Sequence, residues 1–122
     1  MGLRIGLATA TPEARARKYL RMVGVEDAFD AVACAEMVAH GKPAPDVYLL
    51  AAQKLNLPPE ELLGVEDSPS GVRSAHAAGM TVAMIPDQDE PSAEIAALCA
   101  LVAPTLEGII PFIEKLNANK FD

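Results

Sequence analysis

The sequence predicts an α/β fold in which helices cover both faces of a parallel sheet. Short continuous apolar runs alternate along the chain with segments of helical periodicity. Continuous apolar runs are typical of strands that are buried on both faces, as in parallel sheets. A length of 122 residues with 51% apolar side chains is enough for one domain with a buried core. We therefore expect residues 1–122 to form a single domain.

The first half of the chain contains two predicted strand–helix units. The first strand is followed by Thr11 and Pro12, a helix start at which the missing proline N–H costs nothing. This helix is expected to end at Gly24 and to lie on the sheet. Its predicted apolar face comprises Ala16, Tyr19, Leu20 and Val23. After a proline-rich loop, Asp46 is expected to cap the second helix. The predicted strands are 3–8 and 31–34, and the predicted helices are 12–23 and 47–55.

The second half of the chain continues the alternation of strands and helices. A strand leads into Glu66. Ser68 is then expected to cap a helix, and Pro69 follows it at the helix start. The helix after this cap is expected to end at Gly79. The remaining predicted elements are strands at 62–65, 81–85 and 101–103, an acidic loop at 87–91, and helices at 92–98 and 106–116.

The composition argues against several classes of protein. With 17 acidic and 10 basic side chains, the formal net charge of -7 disfavours nucleic-acid and anionic-membrane partners. The two cysteines, Cys34 and Cys99, both lie in apolar runs, so a disulfide framework is not expected and a reducing compartment is indicated. Neither cysteine has a second Cys or a His at metal-ligand spacing. No apolar run approaches the length of a membrane span, and the apolar segment at the start of the chain is too short for a signal-peptide core. We therefore expect a soluble, cytoplasmic protein.

Polar side chains collect just after the predicted strands, where parallel sheets bind ligands. Thr9 ends the first strand, Lys42 lies in the loop after the second, and Glu66 and Asp67 end the third. A hydroxyl, an ammonium and two carboxylates can together hold a phosphoryl group and Mg²⁺, which prefers oxygen ligands. The backbone amides at the helix start after Thr9 are expected to offset phosphate charge as well.

Four segments of the sequence resemble the later motifs of the haloacid dehalogenase superfamily. They are Leu7-Ala8-Thr9-Ala10-Thr11-Pro12, Gly41-Lys42-Pro43-Ala44-Pro45-Asp46-Val47-Tyr48, Gly64-Val65-Glu66-Asp67-Ser68-Pro69-Ser70-Gly71-Val72 and Ala77-Ala78-Gly79-Met80. Their order and spacing are similar to the family pattern from about residue 3 to residue 86. The most similar branch contains the β-phosphoglucomutases and sugar-phosphate phosphatases. The resemblance implies a three-layer, Rossmann-like core.

By this resemblance, Thr9 holds the transferring phosphoryl group and Lys42 neutralises its charge. Glu66 and Asp67 match the acidic pair that binds the Mg²⁺ cofactor, and Ala10 lies beside the phosphate. In the family, one Asp attacks a phosphoester, and the aspartyl-phosphate is then hydrolysed or passed to another hydroxyl. A second Asp, two residues later, acts as general acid and base. The implied function is that of a phosphatase or phosphomutase whose substrate is a small phosphorylated sugar or nucleoside.

The sequence departs from the family pattern at its first motif. The family begins with an apolar strand that ends in Asp-x-Asp-Gly-Thr, whereas nothing but its own strand precedes Thr9 here. The nucleophile, the acid/base Asp, one Mg²⁺ ligand and the helical cap that selects the substrate are therefore missing. We expect the C-terminal part of a catalytic core, without a cap domain, that is inactive as an isolated chain.

A competing interpretation is a non-catalytic module, a truncated or designed fragment that assembles with itself or with a complementing segment. In the family fold the missing strand lies between the strand of Thr9 and the strand of Glu66. Its absence would leave two interior edges with unpaired backbone groups. We therefore expect a homo-oligomer or a strand-swapped arrangement.

A dehalogenase is less consistent with the sequence, because it has no need of the pair Glu66 and Asp67.

Other chemically active side chains receive structural interpretations. Asp87 and Asp89 have Asp-x-Asp spacing after a strand, but no Gly-Thr follows, so we favour an acidic surface loop over a relocated nucleophile. His40 and His76 have no partner at ligand spacing and are expected to be structural or exposed. Cys34 is expected to be a buried apolar side chain rather than a reactive thiol.

Overall fold

The computed structural model describes residues 3–87 and 89–113. Its strands are β1 (Gly6–Thr9), β2 (Ala31–Cys34), β3 (Leu63–Glu66), β4 (Thr81–Met84) and β5 (Leu101–Val102). Its helices are α1 (Glu13–Met22), α2 (Asp46–Leu55), α3 (Pro69–Ala77) and α4 (Ala93–Ala97). None of the described helices has the length and hydrophobicity needed to cross a membrane. The predicted order is confirmed, although the segment predicted as a helix at 106–116 begins with a 3-10 turn at Leu106–Gly108, and residues 114–116 of that prediction lie outside the described residues.

The strands form two parallel sheets. β1 pairs with β2 in a register that places Thr9 opposite Cys34. β4 lies between β3 and β5, and Glu66 of β3 is opposite Met84 of β4. Within residues 3–87 and 89–113, neither β1 nor β3 has a strand on its other side. The free edges of these two strands border the same cleft.

The main core lies where α2 and α3 pack against the sheets. Helix α2 contacts β1 and β2, helix α3 contacts β3 and β4, and the two helices contact each other. The largest fully buried side chains of this core are Val47, Val72, Val82 and Met84. Because side chains alternate along a strand, Ala83 lies on the opposite face of β4, in a smaller cluster with Ala103 and Ile109. The two helices therefore join the two sheets across the gap, and the α/β class with parallel sheets and helices is confirmed.

The junction between β3 and α3 forms as the sequence predicts. Ser68 is the N-cap, and its Oγ accepts a hydrogen bond from the Gly71 N–H at 3.2 Å. Gly79 follows the helix with a φ of +93°, a left-handed conformation that glycine adopts with the least strain. This short junction places Glu66 and Asp67 at the carboxyl end of β3.

The prediction that Asp46 caps α2 is wrong. Asp46 is itself the first residue of the helix, and no side chain caps the preceding Pro45 position. Asp46 Oδ2 instead accepts a hydrogen bond from the His40 backbone N–H at 3.2 Å. The proline loop folds back toward the helix start, so this carboxylate satisfies a loop amide rather than a helix amide.

The predicted apolar face of α1 is only partly covered. Ala16 is buried and Leu20 is half-buried, whereas Tyr19 is 55% exposed and Val23 is 70% exposed. Helix α1 contacts β2 and the 3-10 turn Glu26–Ala28, but Met22 and Val23 at its C-terminal end remain largely exposed. Helical periodicity identified the stripe correctly but could not show whether a partner surface exists along its whole length.

Candidate functional site

A cleft of about 520 Å³ lies between the carboxyl ends of β1 and β3. Its lining includes parts of both strands, the residues after β4 and the side chain of Lys42. Thr9, Glu66 and Asp67 also line this cleft, so it brings together the residues that the sequence assigns to phosphate and metal. Ala10 is exposed beside Thr9 but does not line the cleft.

Lys42 connects the two sides of the cleft. Its Nζ donates hydrogen bonds to Glu66 Oε2 on β3, at 2.6 Å, and to the Ala8 carbonyl on β1, at 3.2 Å. The side chains of Lys42 and Glu66 are only 18% and 7% exposed. A charged hydrogen bond that is largely withdrawn from water is stronger and better ordered than a surface ion pair. The proline loop thus holds a cation between the two sheets.

Glu66 is held in place from both sides of its carboxylate. Tyr48 and Lys42 both donate hydrogen bonds to Oε2. On the other side lies Gly71 of α3, where a methyl group would be 2.6 Å from Oε2 and closer still to Oε1. The absence of a side chain at Gly71 is therefore what allows this buried carboxylate to lie against the helix.

Tyr48 occupies the core directly beneath the cleft. Lys42 Nζ lies 5.3 Å from the centroid of its ring, within range of a cation–π interaction. The ring also packs close to Gly64 of β3, where an added Cβ would be 3.6 Å from Tyr48 Cε1. Burial, the negative charge of Glu66 and the hydrogen bond to it raise the pKa of the Tyr48 phenol. The phenol therefore remains a neutral hydrogen-bond donor at ordinary pH.

Thr9 presents a hydroxyl whose oxygen already has one partner. Its Oγ1 accepts a hydrogen bond from the Thr11 N–H at 3.1 Å, which leaves the hydroxyl proton available for an acceptor in the cleft. Pro12 has no N–H, so the next amide of the turn is that of Glu13, which donates to Glu36 Oε1 at 2.7 Å. Of the helix-start amides expected to offset phosphate charge, those of Thr11 and Glu13 therefore already donate to protein acceptors.

Glu66 and Asp67 provide only part of a coordination site for Mg²⁺. Asp67 is exposed in the cleft, whereas the Oε2 of Glu66 is already engaged by Lys42 and Tyr48. Asp87, which follows β4, lines the same cleft. Across the described part of the chain, no group of three or more His, Cys, Asp or Glu side chains is arranged to hold a metal ion. Carboxylate oxygens suit Mg²⁺, but water or phosphate would have to complete its coordination.

Ser74 anchors the loop that carries Lys42. It is fully buried in α3, and its Oγ donates a hydrogen bond to the Ala44 carbonyl at 2.6 Å. No sequence pattern indicated a role for Ser74, Tyr48 or Gly71. Tyr48 and Gly71 do lie inside the recognised motif segments, whereas Ser74 lies outside them. Its partner is 30 residues away in sequence, so helical periodicity could not identify the contact.

The remaining candidate residues lie away from the cleft. Cys34 is fully buried at the end of β2, and its burial and the carboxylates of Glu13 and Glu36 raise the pKa of the thiol. This confirms Cys34 as a buried side chain and makes its thiolate, the reactive form, unfavourable. His40 and His76 are exposed, in agreement with the structural or exposed positions predicted for them.

The chain is similar to known hydrolases over part of its length. Residues 1–79 match the family described as haloacid dehalogenase-like hydrolase. The phosphorylated carbohydrates phosphatase of Thermotoga maritima is 41% identical over 78 residues, which are 64% of this chain and 36% of that protein. Protein CbbY of Rhodobacter capsulatus is 44% identical over 92 residues, which are 71% of this chain and 40% of that protein. The matched segments therefore cover well under half the length of these two relatives.

Solved structures match the fold over most of the chain. CbbY from Rhodobacter sphaeroides in complex with phosphate has a TM-score of 0.79 and 30% identity, covering 89% of this chain and 49% of that one. The β-phosphoglucomutase of Clostridium difficile has a TM-score of 0.80 and 25% identity, covering 98% of this chain and 51% of that one. Because the family match extends over residues 1–79 of 122, the chain belongs to the haloacid dehalogenase-like hydrolases, as its motifs predicted.

Proposed function

We propose that the protein transfers the phosphoryl group of a small phosphorylated sugar or nucleoside to water or to another hydroxyl, with Mg²⁺ as cofactor. The observation that carries this proposal is the Lys42 ammonium, held 2.6 Å from Glu66 Oε2 and 3.2 Å from the Ala8 carbonyl in the cleft that Thr9 also lines. The named activities of the phosphorylated carbohydrates phosphatase and the β-phosphoglucomutase support the substrate class. Free cysteines at positions 34 and 99 are consistent with a cytoplasmic enzyme.

Thr9 and Lys42 supply what a phosphate group requires from the protein. An ammonium has three N–H donors, and the hydrogen bonds of Lys42 to Glu66 and Ala8 use two of them. The third can be donated to a phosphate oxygen, as can the hydroxyl proton of Thr9. Phosphoryl transfer depends mainly on such positioning and charge stabilisation. We infer that these two side chains bind the phosphoryl oxygens and orient the phosphorus for attack.

Asp67 is the carboxylate best placed to hold Mg²⁺, with Glu66 beside it. The metal, when bound, would offset negative charge on the phosphate and on the acidic lining of the cleft. Asp67 is exposed, and its carboxylate is therefore open to a cation that enters with the substrate.

The attacking group is not among these 122 residues, because they contain no Asp-x-Asp-Gly-Thr segment. Asp87 lines the cleft, but no Gly-Thr follows it. We infer that a nucleophilic Asp enters the cleft on a further strand. The isolated chain is accordingly expected to bind phosphate without catalysing its transfer.

The 122-residue chain is expected to bind inorganic phosphate weakly and to show no turnover of p-nitrophenyl phosphate, with or without Mg²⁺. Amide NMR titration should give phosphate-dependent shifts next to Thr9 and Lys42. Thr9→Val removes the hydroxyl and should weaken phosphate binding about tenfold, whereas Thr11→Val, outside the cleft lining, should leave it unchanged. Equal binding by both variants would contradict the phosphate site. Mg²⁺-dependent turnover that Asp67→Asn abolishes would contradict the expected inactivity.

The two separate sheets favour a second proposal, which concerns assembly. Strands β1 and β3 border one cleft, and within the described ranges each pairs with a strand on one side only. Val65 of β3 lines this cleft and is 41% exposed, unlike a residue in an interior strand. Unpaired strand edges are costly and readily accept another chain. We propose that the isolated chain covers the gap by self-association with a second copy.

The isolated chain is expected to sediment as a dimer or larger oligomer. Val65→Lys places a charge at the gap and should shift the population toward monomer, because a charged edge disfavours strand pairing. Val23→Lys is the matched control, since Val23 is 70% exposed at the C-terminal end of α1 and outside the cleft lining. A clean monomer for the unmodified chain, or an equal effect of both variants, would contradict the proposal.

A further inference from the structure

We propose that Tyr48 is a positioning residue whose hydroxyl, by holding Glu66 Oε2, keeps the Lys42 ammonium in the cleft between β1 and β3. This inference rests on the proposed phosphate site. It gives a role to a buried phenol that binding of phosphate and metal does not itself require.

The geometry makes Glu66 Oε2 the shared acceptor of a small network. Tyr48 donates to it from α2, and Lys42 donates to it from the proline loop. A lysine side chain is flexible, so its ammonium stays at one place only when directed contacts hold it there. Here those contacts are Oε2 of Glu66 and the Ala8 carbonyl. The position of Oε2 therefore determines where the cation lies.

Packing against α3 restricts Glu66 on one side. There Gly71 lies so close to the carboxylate that an added methyl group would overlap it. Toward the cleft, rotation would bring the carboxylate next to Asp67 and a bound phosphate, both negatively charged. The Tyr48 hydroxyl opposes this rotation, because it draws Oε2 into the core. It therefore positions the cation and also keeps a competing anion out of the phosphate site.

Tyr48→Phe tests the hydroxyl by itself, because it removes the hydroxyl and leaves the rest of the side chain unchanged. The substitution keeps the ring, its contact with the Lys42 ammonium and its packing beside Gly64. We expect the ammonium protons of Lys42 to exchange with water about tenfold faster in this variant, measured on the side-chain ¹H–¹⁵N signal. Inorganic phosphate should bind about tenfold more weakly. Tyr19→Phe alters the other tyrosine of the chain, which is 55% exposed on α1, and should change neither quantity.

The outcomes distinguish the positioning role from the proposed function. Unchanged Lys42 exchange in Tyr48→Phe would overturn the positioning role, as would a loss of stability without faster exchange. Faster exchange in a chain that binds no phosphate would support the positioning role and refute the phosphate site. If Tyr48→Phe fails to fold, NMR measurements on the unmodified chain test the positioning role instead. A nuclear Overhauser effect between the Tyr48 hydroxyl proton and the Lys42 ε-methylene supports the proposal, and a hydroxyl proton that exchanges as fast as that of Tyr19 overturns it.

Discussion

Replacement of Lys42 by methionine is expected to lower the free energy of unfolding by about 3 kcal/mol, because it leaves the Glu66 carboxylate buried without its cation. Methionine preserves most of the length and apolar volume of the lysine stem, so the change isolates the loss of charge. The hydrogen bonds to Glu66 and to the Ala8 carbonyl are both lost. Urea denaturation followed by circular dichroism at a single protein concentration measures the effect.

Two further variants test the cause of this loss. Lys18→Met removes an exposed cation from α1 and should change the free energy of unfolding by no more than about 0.5 kcal/mol. Glu66→Gln, added to Lys42→Met, removes the uncompensated charge and should restore part of the stability, because a neutral buried pair costs less than a single buried charge. A double variant less stable than Lys42→Met would contradict the assignment of the loss to the Glu66 charge.

Replacement of Gly71 by alanine is expected to lower the free energy of unfolding by about 2 kcal/mol, because the new methyl group would overlap the Glu66 carboxylate. Alanine in a helix is ordinarily more favourable than glycine by about 1 kcal/mol, so the predicted sign is opposite to that of helix propensity. The displaced carboxylate would also release Lys42 and Tyr48. Phosphate binding should therefore weaken together with stability.

The adjacent Ser70 provides the control for Gly71. It is exposed in the first turn of α3, and its one side-chain contact among the described residues is a long one, 3.5 Å from Ser70 Oγ to Ser68 Oγ, so Ser70→Ala should change the free energy of unfolding by only a few tenths of a kcal/mol. Thermal melts of the two variants at equal concentration compare them directly. A Gly71→Ala variant that is as stable as Ser70→Ala would show that the carboxylate is free to leave its position beside α3.

Local patterns were sufficient to predict most of the fold. The apolar run Ala31–Cys34 is β2 with the predicted bounds, and the strand, cap and helix around Ser68 form as predicted. These elements depend on neighbours in sequence, since a strand needs a continuous apolar run and a cap needs a hydroxyl before the helix. The role of Asp46 was predicted wrongly because it depends on how the proline loop folds back, which brings the His40 N–H, six residues earlier, to its carboxylate. The burial of the last turn of α1 was predicted wrongly because it depends on the extent of the sheet.

The candidate site was predictable at the level of residues but not of contacts. Motif resemblance and strand ends identified Thr9, Lys42, Glu66 and Asp67, and the structure brings all of these to one cleft. Nothing in the pattern indicated that Oε2 of Glu66 is shared by two donors, or that Lys42 also bonds to β1. Such contacts join segments far apart in sequence, and only packing brings those segments together.

The sequence by itself determined the alternation of strands and helices, the family of the protein and the four polar candidate residues at or after the ends of its strands. The alternation follows from periodicity and capping, which act over a few residues, and the family follows from the resemblance of its motif segments. The family resemblance already implied a gap between the strands of Thr9 and Glu66, but the tertiary structure alone decided that Lys42 spans it. It also decided that Tyr48 and Gly71 hold the Glu66 carboxylate between them. The physical reason is that hydrogen bonding and steric fit depend on distances of a few ångströms between helices and strands, which no local pattern encodes.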